Sequence, residues 1–346
     1  MRKHRIRFIL IVIVVISAAA AAAETWHLGK DQQWKSVSAD PLRRDIDIAA
    51  SEQSKYLLAV SQTKQLADTG QTQALREAFT RLKKDFPQVA GPDFDAFSEA
   101  EILRSRGKLV DAGHSYDKFL TDYPTSELYE TVLDRQYSVA TAFLAGEKKT
   151  ILKIFKVRGY DDGVKMMEKI SDRSGDAPIG VDALVSVAQS YEKRQKFEEA
   201  YLEWSQISSK WPTGQIGRDA LLAMARCKHA AYKGPKYDAS NLISAKTYYE
   251  NFKLRYPEDA QKLDIDAKLK LIDEQMAYKQ FFIGQYYQQT GSWQPASMYY
   301  QTVVDGWPES TATKMAKQQI DKSNLKKEKK SIWENETIKK LGKLIL

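Results

Sequence analysis

The sequence predicts an all-α protein, a right-handed superhelical solenoid of about five to six helix hairpins, with a short N-terminal hairpin or extended segment and a basic C-terminal helix. Three observations carry that prediction. An alanine, an aromatic and an aromatic–proline pair recur at fixed offsets along the chain. Ahead of the clearest copies lies a small residue between apolar ones at helical spacing. Finally, a lone cysteine, Cys227, excludes an internal disulfide, so 346 residues with 43% hydrophobic content must be held by a packed core.

At the chain start, Arg2, Lys3, Arg5 and Arg7 precede sixteen uncharged residues, Phe8 to Ala23, that end in an alanine run. This is the pattern of a secretory signal, so residues 1–23 read as a signal peptide cut near Ala23. A retained anchor is the alternative, but sixteen residues fall short of the roughly twenty that span a bilayer as a helix. Losing the four basic residues lowers the formal charge from +8 to +4, and from Lys322 to the end eight lysines stand against three glutamates. The basicity therefore sits at the two ends, and the near-neutral body argues against a nucleic-acid partner.

Residues 24–53 read as an N-terminal hairpin and linker. In "TWHLGKDQQWKSV", Trp26 and Leu28 share one side, and Trp34 with Ser36 follow a Gly-containing turn. "SADPLRRDID" is the linker.

The array occupies residues 54–320. Counting back from Pro308, an alanine stands twelve residues earlier (Ala296), an aromatic eight earlier (Tyr300) and an aromatic immediately before (Trp307). The same offsets give Ala200, Trp204 and Trp211 before Pro212; Ala245, Tyr249 and Tyr256 before Pro257; and Ala112, Tyr116 and Tyr123 before Pro124. A copy ending at Pro87 has Phe79 and Phe86, with Leu75 in the alanine place, and a degenerate copy ends at Pro178, 34 residues before Pro212. The preceding half of the unit shows Ile283, Gly284 and Tyr287 in the last copy, and Val187, Ala188 and Tyr191 in the copy ending at Pro212. This is the grammar of the tetratricopeptide repeat, a helix–turn–helix of 34 residues. A small residue lets two helices approach and the aromatic four residues on fills the groove between them, so the aromatic stripe is core. Proline then ends the second helix and is expected to start the next one. Two stretches depart from the pattern: "AAYKGPKYDASNL" lengthens a turn, and "LAGEKKTILKIFKVRGYDDG" interrupts the array after Phe143.

Residues 321–346 form a basic amphipathic tail, with Ile338, Leu341 and Ile345 at helical spacing among Lys339, Lys340 and Lys343. Contact with a membrane surface through this tail is one reading, a solvated terminus the other.

Nothing in the sequence marks a reaction centre. Apart from His4 in the signal segment, His27, His114 and His229 lack metal-ligand spacing, and no phosphate loop, nucleophile elbow or zinc motif occurs. The acidic pairs Asp161 and Asp162, and Asp264 and Asp266, read as solvated positions. Cys227, in the helical pattern "DALLAMARCKHAAY", reads as a buried core thiol. The expectation is a non-enzyme with no cofactor and no metal.

The array resembles the BamD family of outer-membrane assembly proteins, on "YKGPKYDASNLISAKTYYENFKLRYP" and "FFIGQYYQQTGSWQPASMYYQTVVDGWPES". The resemblance implies a periplasmic scaffold of the bacterial cell envelope that binds assembly subunits or unfolded outer-membrane proteins. It also assigns substrate-signal binding to the early repeats and contact with the barrel-forming subunit to the late ones. One departure is the lack of a cysteine near Glu24, so the lipid anchor of that family is not supported. An adaptor for Tol-type or peptidoglycan complexes is the alternative, and an envelope enzyme on a repeat scaffold is a third. On repeat geometry, the peptide-binding concave face carries Phe97, Glu101 and Arg104 in one unit, Gln189, Glu192 and Lys193 in another, and Phe281, Gln285 and Gln288 in the last.

Overall fold

Two backbone devices, each repeated, cut this chain into helix pairs. The computed structural model describes residues 25–28, 34–37, 50–151 and 154–322. The segment read as a signal peptide, the stretch read as a linker and the tail beyond Lys322, including the expected C-terminal helix, lie outside the described residues.

The first device closes the turn inside a pair. At Gly291 the backbone takes φ +80°, a left-handed conformation open to a residue without Cβ. The Gly291 N–H then reaches the Gln288 carbonyl at 3.1 Å and the Ser292 N–H reaches Tyr287 at 2.9 Å, which satisfies the last carbonyls of the helix. Gln195 takes the same turn at φ +58°, with Lys196 N–H on Tyr191 at 3.0 Å.

The second device is the aromatic–proline joint. Phe86, Tyr123, Trp211, Tyr256 and Trp307 cap the second helices with φ between −126° and −139° and ψ between 57° and 78°. Steric conflict with the proline ring removes the helical conformation from the residue before it, so the helix stops there in every copy. Pro178 and Pro257 open helices and Pro87 opens a short 3-10 turn. Pro124, Pro212 and Pro308 stand in connections, which corrects the expectation that each proline starts the next helix.

The chain divides into two compact units, one through Arg135 together with Ala177–Ile179, the other comprising Gln136–Asp176 and the chain from Gly180. The first holds the pairs α1 (Ala50–Asp68) with α2 (Thr72–Asp85) and α3 (Pro92–Ser105) with α4 (Leu109–Asp122), then the start of α5 (Tyr129–Leu144). Leu75, Ala112 and Tyr116 are fully buried in its core, and Phe79 meets Phe94 and Phe97 edge-on at 5.8 and 6.3 Å. Ahead of it, β1 (Thr25–Leu28) and β2 (Trp34–Val37) pair antiparallel with Trp26 opposite Ser36, the hairpin read from the sequence.

The second unit holds the rest of α5 with α6 (Tyr160–Ser174), then the pairs α7 (Pro178–Lys193) with α8 (Phe197–Lys210), α9 (Gly214–Ala231) with α10 (Ser240–Arg255), and α12 (Ile265–Gln289) with α13 (Trp293–Gly306). A short α11 (Pro257–Lys262) precedes α12, and α14 (311–322) follows α13. Between α5 and α6 the interrupting stretch forms a two-stranded antiparallel ribbon, β3 (Lys148–Ile151) with β4 (Phe155–Arg158).

Ala200, Ala245 and Ala296 are 0% exposed, and Trp204, Tyr249 and Tyr300 follow them into the core at 2–4%. In the degenerate copy Met166 and Ile170 hold the same places and are likewise buried. Helix α6 nonetheless approaches α5 at Gly163, where a Cβ would stand 2.9 Å from the Ala140 carbonyl oxygen and 3.0 Å from the Leu144 nitrogen.

Candidate functional site

The first helices of successive pairs lie beside one another within each unit, and polar side chains tie them together. In the second unit, α7 joins α9 through Glu192, which accepts from Arg226 Nε at 2.9 Å and Nη2 at 2.7 Å. Helix α9 meets α12 through His229 and Gln275 at 2.9 Å, and α12 meets α14 through Gln288 and Gln319 at 3.1 Å. On the other flank of α7, Ser186 bonds Tyr137 of α5 at 3.0 Å.

The same polar groups lock each first helix to its own second helix. The Trp204 indole N–H donates to Glu192 Oε1 at 2.6 Å, and the Tyr300 hydroxyl donates to Gln288 Oε1. Tyr116 donates likewise to Glu101. In these three pairs the aromatic is buried as a ring and satisfied at its polar tip by the preceding helix.

In the first unit this locking closes over an ion cluster. Glu101, 1% exposed, accepts from Arg104 Nη2 at 2.9 Å and lies 3.4 Å from Arg135 Nε. Asp68 takes the other side of both cations, at 2.9 Å from Arg104 and 3.5 Å from Arg135. Two carboxylates facing two guanidinium groups leave the cluster neutral, the arrangement a buried carboxylate requires. Burial, followed by the charge of Glu101, raises the Tyr116 hydroxyl well above the usual phenol range, so it remains a donor.

These contacts revise the residues read from the sequence as a peptide-binding face. Phe97, Glu101 and Phe281 are 1%, 1% and 3% exposed and cannot line a surface. Phe97 packs on Phe79, Phe281 packs on Tyr300 at 5.4 Å, and Glu101 is enclosed by the two arginines. Arg104, Glu192 and Gln288 are engaged in the ties just described. Gln189 and Lys193 are exposed and Gln285 is half-buried.

What remains open on the first helices of the second unit is a set of stripes. On α7, Asp182, Gln189 and Lys193 recur at i, i+7 and i+11, between the Ser186 and Glu192 ties. On α12, Leu271, Tyr278 and Gln285 recur every seven residues between the Gln275 and Gln288 ties, with Leu271 51% and Tyr278 43% exposed. Repeat offsets pointed three residues away from Tyr278, at Phe281 on the same helix; the heptad spacing of Leu271 and Tyr278 is the signal that finds the stripe.

Two concavities flank the helices. One of about 470 Å³ lies in the second unit between α12 and the turn at Trp307–Ser310, and one of about 420 Å³ lies in the first between α2 and α3. Four of their six acids are already matched. Asp273 takes Lys246 at 2.7 Å, Asp266 takes Lys253, both Glu274 oxygens accept the Thr311 N–H at 3.0 Å, and Lys83 bridges to Asp95 at 2.6 Å. The acidic pairs noted in the sequence are accounted for similarly: Asp264 caps α12 through the Ala267 N–H at 3.3 Å, and Asp162 holds Lys149 at 2.5 Å.

Helix pairs in tandem, joined by aromatic–proline turns and tied through their first helices, define a tetratricopeptide-type repeat protein, an architecture suited to binding protein partners. The model of the YfiO outer membrane lipoprotein family matches residues 158–338, a little over half of the chain, and the chain belongs to that family. Membership points to the cell envelope and to a protein-binding scaffold. No curated protein matches the chain in sequence. Among solved structures it is similar to a tetratricopeptide repeat protein from Parabacteroides merdae, at 13% identity over 76% of this chain and 98% of that one, with a TM-score of 0.32. It is also similar to the C-terminal part of a repeat protein from Cytophaga hutchinsonii, at 12% identity over 74% and 98% of the two chains and a TM-score of 0.21.

Proposed function

We propose that this chain is a non-enzymatic, BamD-like scaffold of the bacterial periplasm, exported by its N-terminal segment, whose first-helix stripes hold outer-membrane assembly subunits or unfolded outer-membrane proteins. The observation that carries the reading is the pair of exposed stripes on α7 and α12, left open between polar ties that fix the helices bearing them. Leu271 and Tyr278 offer apolar contact, while Gln189, Lys193 and Gln285 offer hydrogen bonds to an extended backbone or a terminal carboxylate. The helices are held rigid before a partner arrives, which lowers the ordering cost of binding. The proposal includes no lipid anchor, since the one cysteine of this sequence, Cys227, is fully buried in α9.

The test is site-specific photo-crosslinking in intact envelopes. A photoreactive residue at Gln189, Lys193 or Tyr278 is expected to capture barrel-assembly subunits or unfolded outer-membrane proteins. Capture of Tol or cell-wall proteins at these positions supports the adaptor reading instead. Equal labelling from the exposed Glu250 on a second helix, with no defined product from the stripes, overturns the binding face.

A further inference from the structure

The ribbon inserted between α5 and α6 has a composition that the scaffold reading leaves unused. In its register Lys148 stands opposite Arg158 and Lys149 opposite Val157, so Phe155 and Val157 share one face while Lys148, Lys156 and Arg158 share the other. Every residue of β4 is exposed, Phe155 at 59% and Val157 at 37%, and Ile154 at the turn is 77% exposed. The base of the ribbon is fixed. Lys149 pairs with Asp162 of α6 at 2.5 Å, Arg158 donates to the Tyr160 hydroxyl at 2.6 Å, and the Gly159 N–H reaches the Glu147 carbonyl at 2.9 Å. The Arg194 guanidinium covers the Tyr160 ring at 4.3 Å. A fixed footing thus presents a ribbon on which, among the described residues, Ile154 and Phe155 are largely exposed and Val157, nearer the base, is partly covered. Two strands alone are marginal in water, so this face gains stability from a cover.

We infer that the ribbon Lys148–Arg158 docks on an anionic lipid surface, with Ile154, Phe155 and Val157 at the acyl boundary and Lys148 and Lys156 among the phosphates. The charge decides for lipid over protein. With Lys149 neutralised by Asp162, four cations of the sequence 147–158, Lys148, Lys153, Lys156 and Arg158, stand against Glu147 beside the apolar residues. Lysine is depleted from the cores of protein–protein interfaces, whereas apolar residues flanked by lysine are what an anionic membrane surface selects. Long lysine stems let the charge reach headgroups while the neighbouring side chains enter the acyl layer. All of the ribbon but its last residue, Arg158, lies ahead of the family-matched segment, which begins at residue 158.

An environment-sensitive fluorophore on Ile154→Cys in the full chain reads the ribbon itself, whatever the chain termini do. Cys227 does not compete for the label, because burial and the nearby Glu192 push its thiol up to about 12 and it is 0% exposed. Phosphatidylglycerol vesicles are expected to shift the emission to the blue and brighten it. Phosphatidylcholine vesicles are not, and neither vesicle should alter a label on Lys262→Cys. Replacing Lys148 and Lys156 by Gln should raise the vesicle concentration for half of the change by about 30-fold, two contributions of about 1 kcal/mol each. An unchanged spectrum with phosphatidylglycerol overturns the inference. So does an equal response to phosphatidylcholine, or a blue shift that follows protein concentration without lipid, which would assign the face to a second copy of the chain.

Discussion

Glu192 decides between two roles, a contact for bound peptide and a tie within the fold, and its truncation separates them. Its side chain is 18% exposed and accepts three bonds, from Trp204 Nε1 at 2.6 Å and from Arg226 Nε and Nη2 at 2.9 and 2.7 Å. In Glu192→Ala the Trp204 N–H loses its acceptor inside a residue only 4% exposed, at a cost of about 1–3 kcal/mol. Arg226 is 52% exposed and rehydrates, so its lost pair adds only about 0–1 kcal/mol. The sum is a destabilisation of about 1–4 kcal/mol, read by urea unfolding monitored through tryptophan fluorescence. The neighbouring exposed Lys193→Ala should stay within about 0.5 kcal/mol of the parent. Adding Trp204→Phe to Glu192→Ala removes the orphaned donor, and the pair should be less destabilised than the separate changes add up to. If Glu192→Ala proves as mild as Lys193→Ala, the tie is not structural and the reasoning from its three bonds fails.

Two further changes probe the packing. Burial pushes the Glu130 carboxyl up to about 7, so the fold favours its protonated form. Stability is then fully present below about pH 4.3, where both states hold the proton, and falls as pH rises to about 7, where the folded state gives it up. Glu130→Gln should therefore stabilise the protein by about 1–3 kcal/mol at pH 8 and change little at pH 4, as pH-dependent unfolding would measure; an equal effect at both values refutes the assignment. Gly163→Ala should destabilise by about 1–3 kcal/mol in thermal unfolding, because the contacts at 2.9 and 3.0 Å are to α5 backbone that cannot rotate away. A gain of about 1 kcal/mol, the usual return for alanine over glycine in a helix, would show that α5 and α6 are free to separate.

The repeat was legible because its marks are steric. Alanine and aromatic positions face the same groove in each pair, so one offset from the proline recovers Ala112, Ala200, Ala245 and Ala296 with their rings, all buried. The aromatic–proline joint is legible for the same reason, as it rests on two adjacent residues. The binding face was harder to read. Glu101 and Gln189 occupy equivalent offsets, yet Arg135 and Arg104 enclose one while the other is open. The partners of Glu192 lie 12 and 34 residues away on two different helices, and which polar groups at those offsets pair is set by side-chain reach rather than by the repeat period. The ribbon read only as an interruption, since four-residue strands give alternation too brief to separate from a loop.

The ties of the array join helices within a pair or in nearby pairs: 12 residues from Trp204 to Glu192, 34 from Glu192 to Arg226, 46 from His229 to Gln275, 31 from Gln288 to Gln319 and, at the most, 67 from Asp68 to Arg135. Low contact order of this kind permits rapid folding, and no segment must wait for a partner from the far terminus. A nascent or translocating polypeptide can therefore acquire structure pair by pair as it emerges. Each completed pair can then offer its exposed flank to the next.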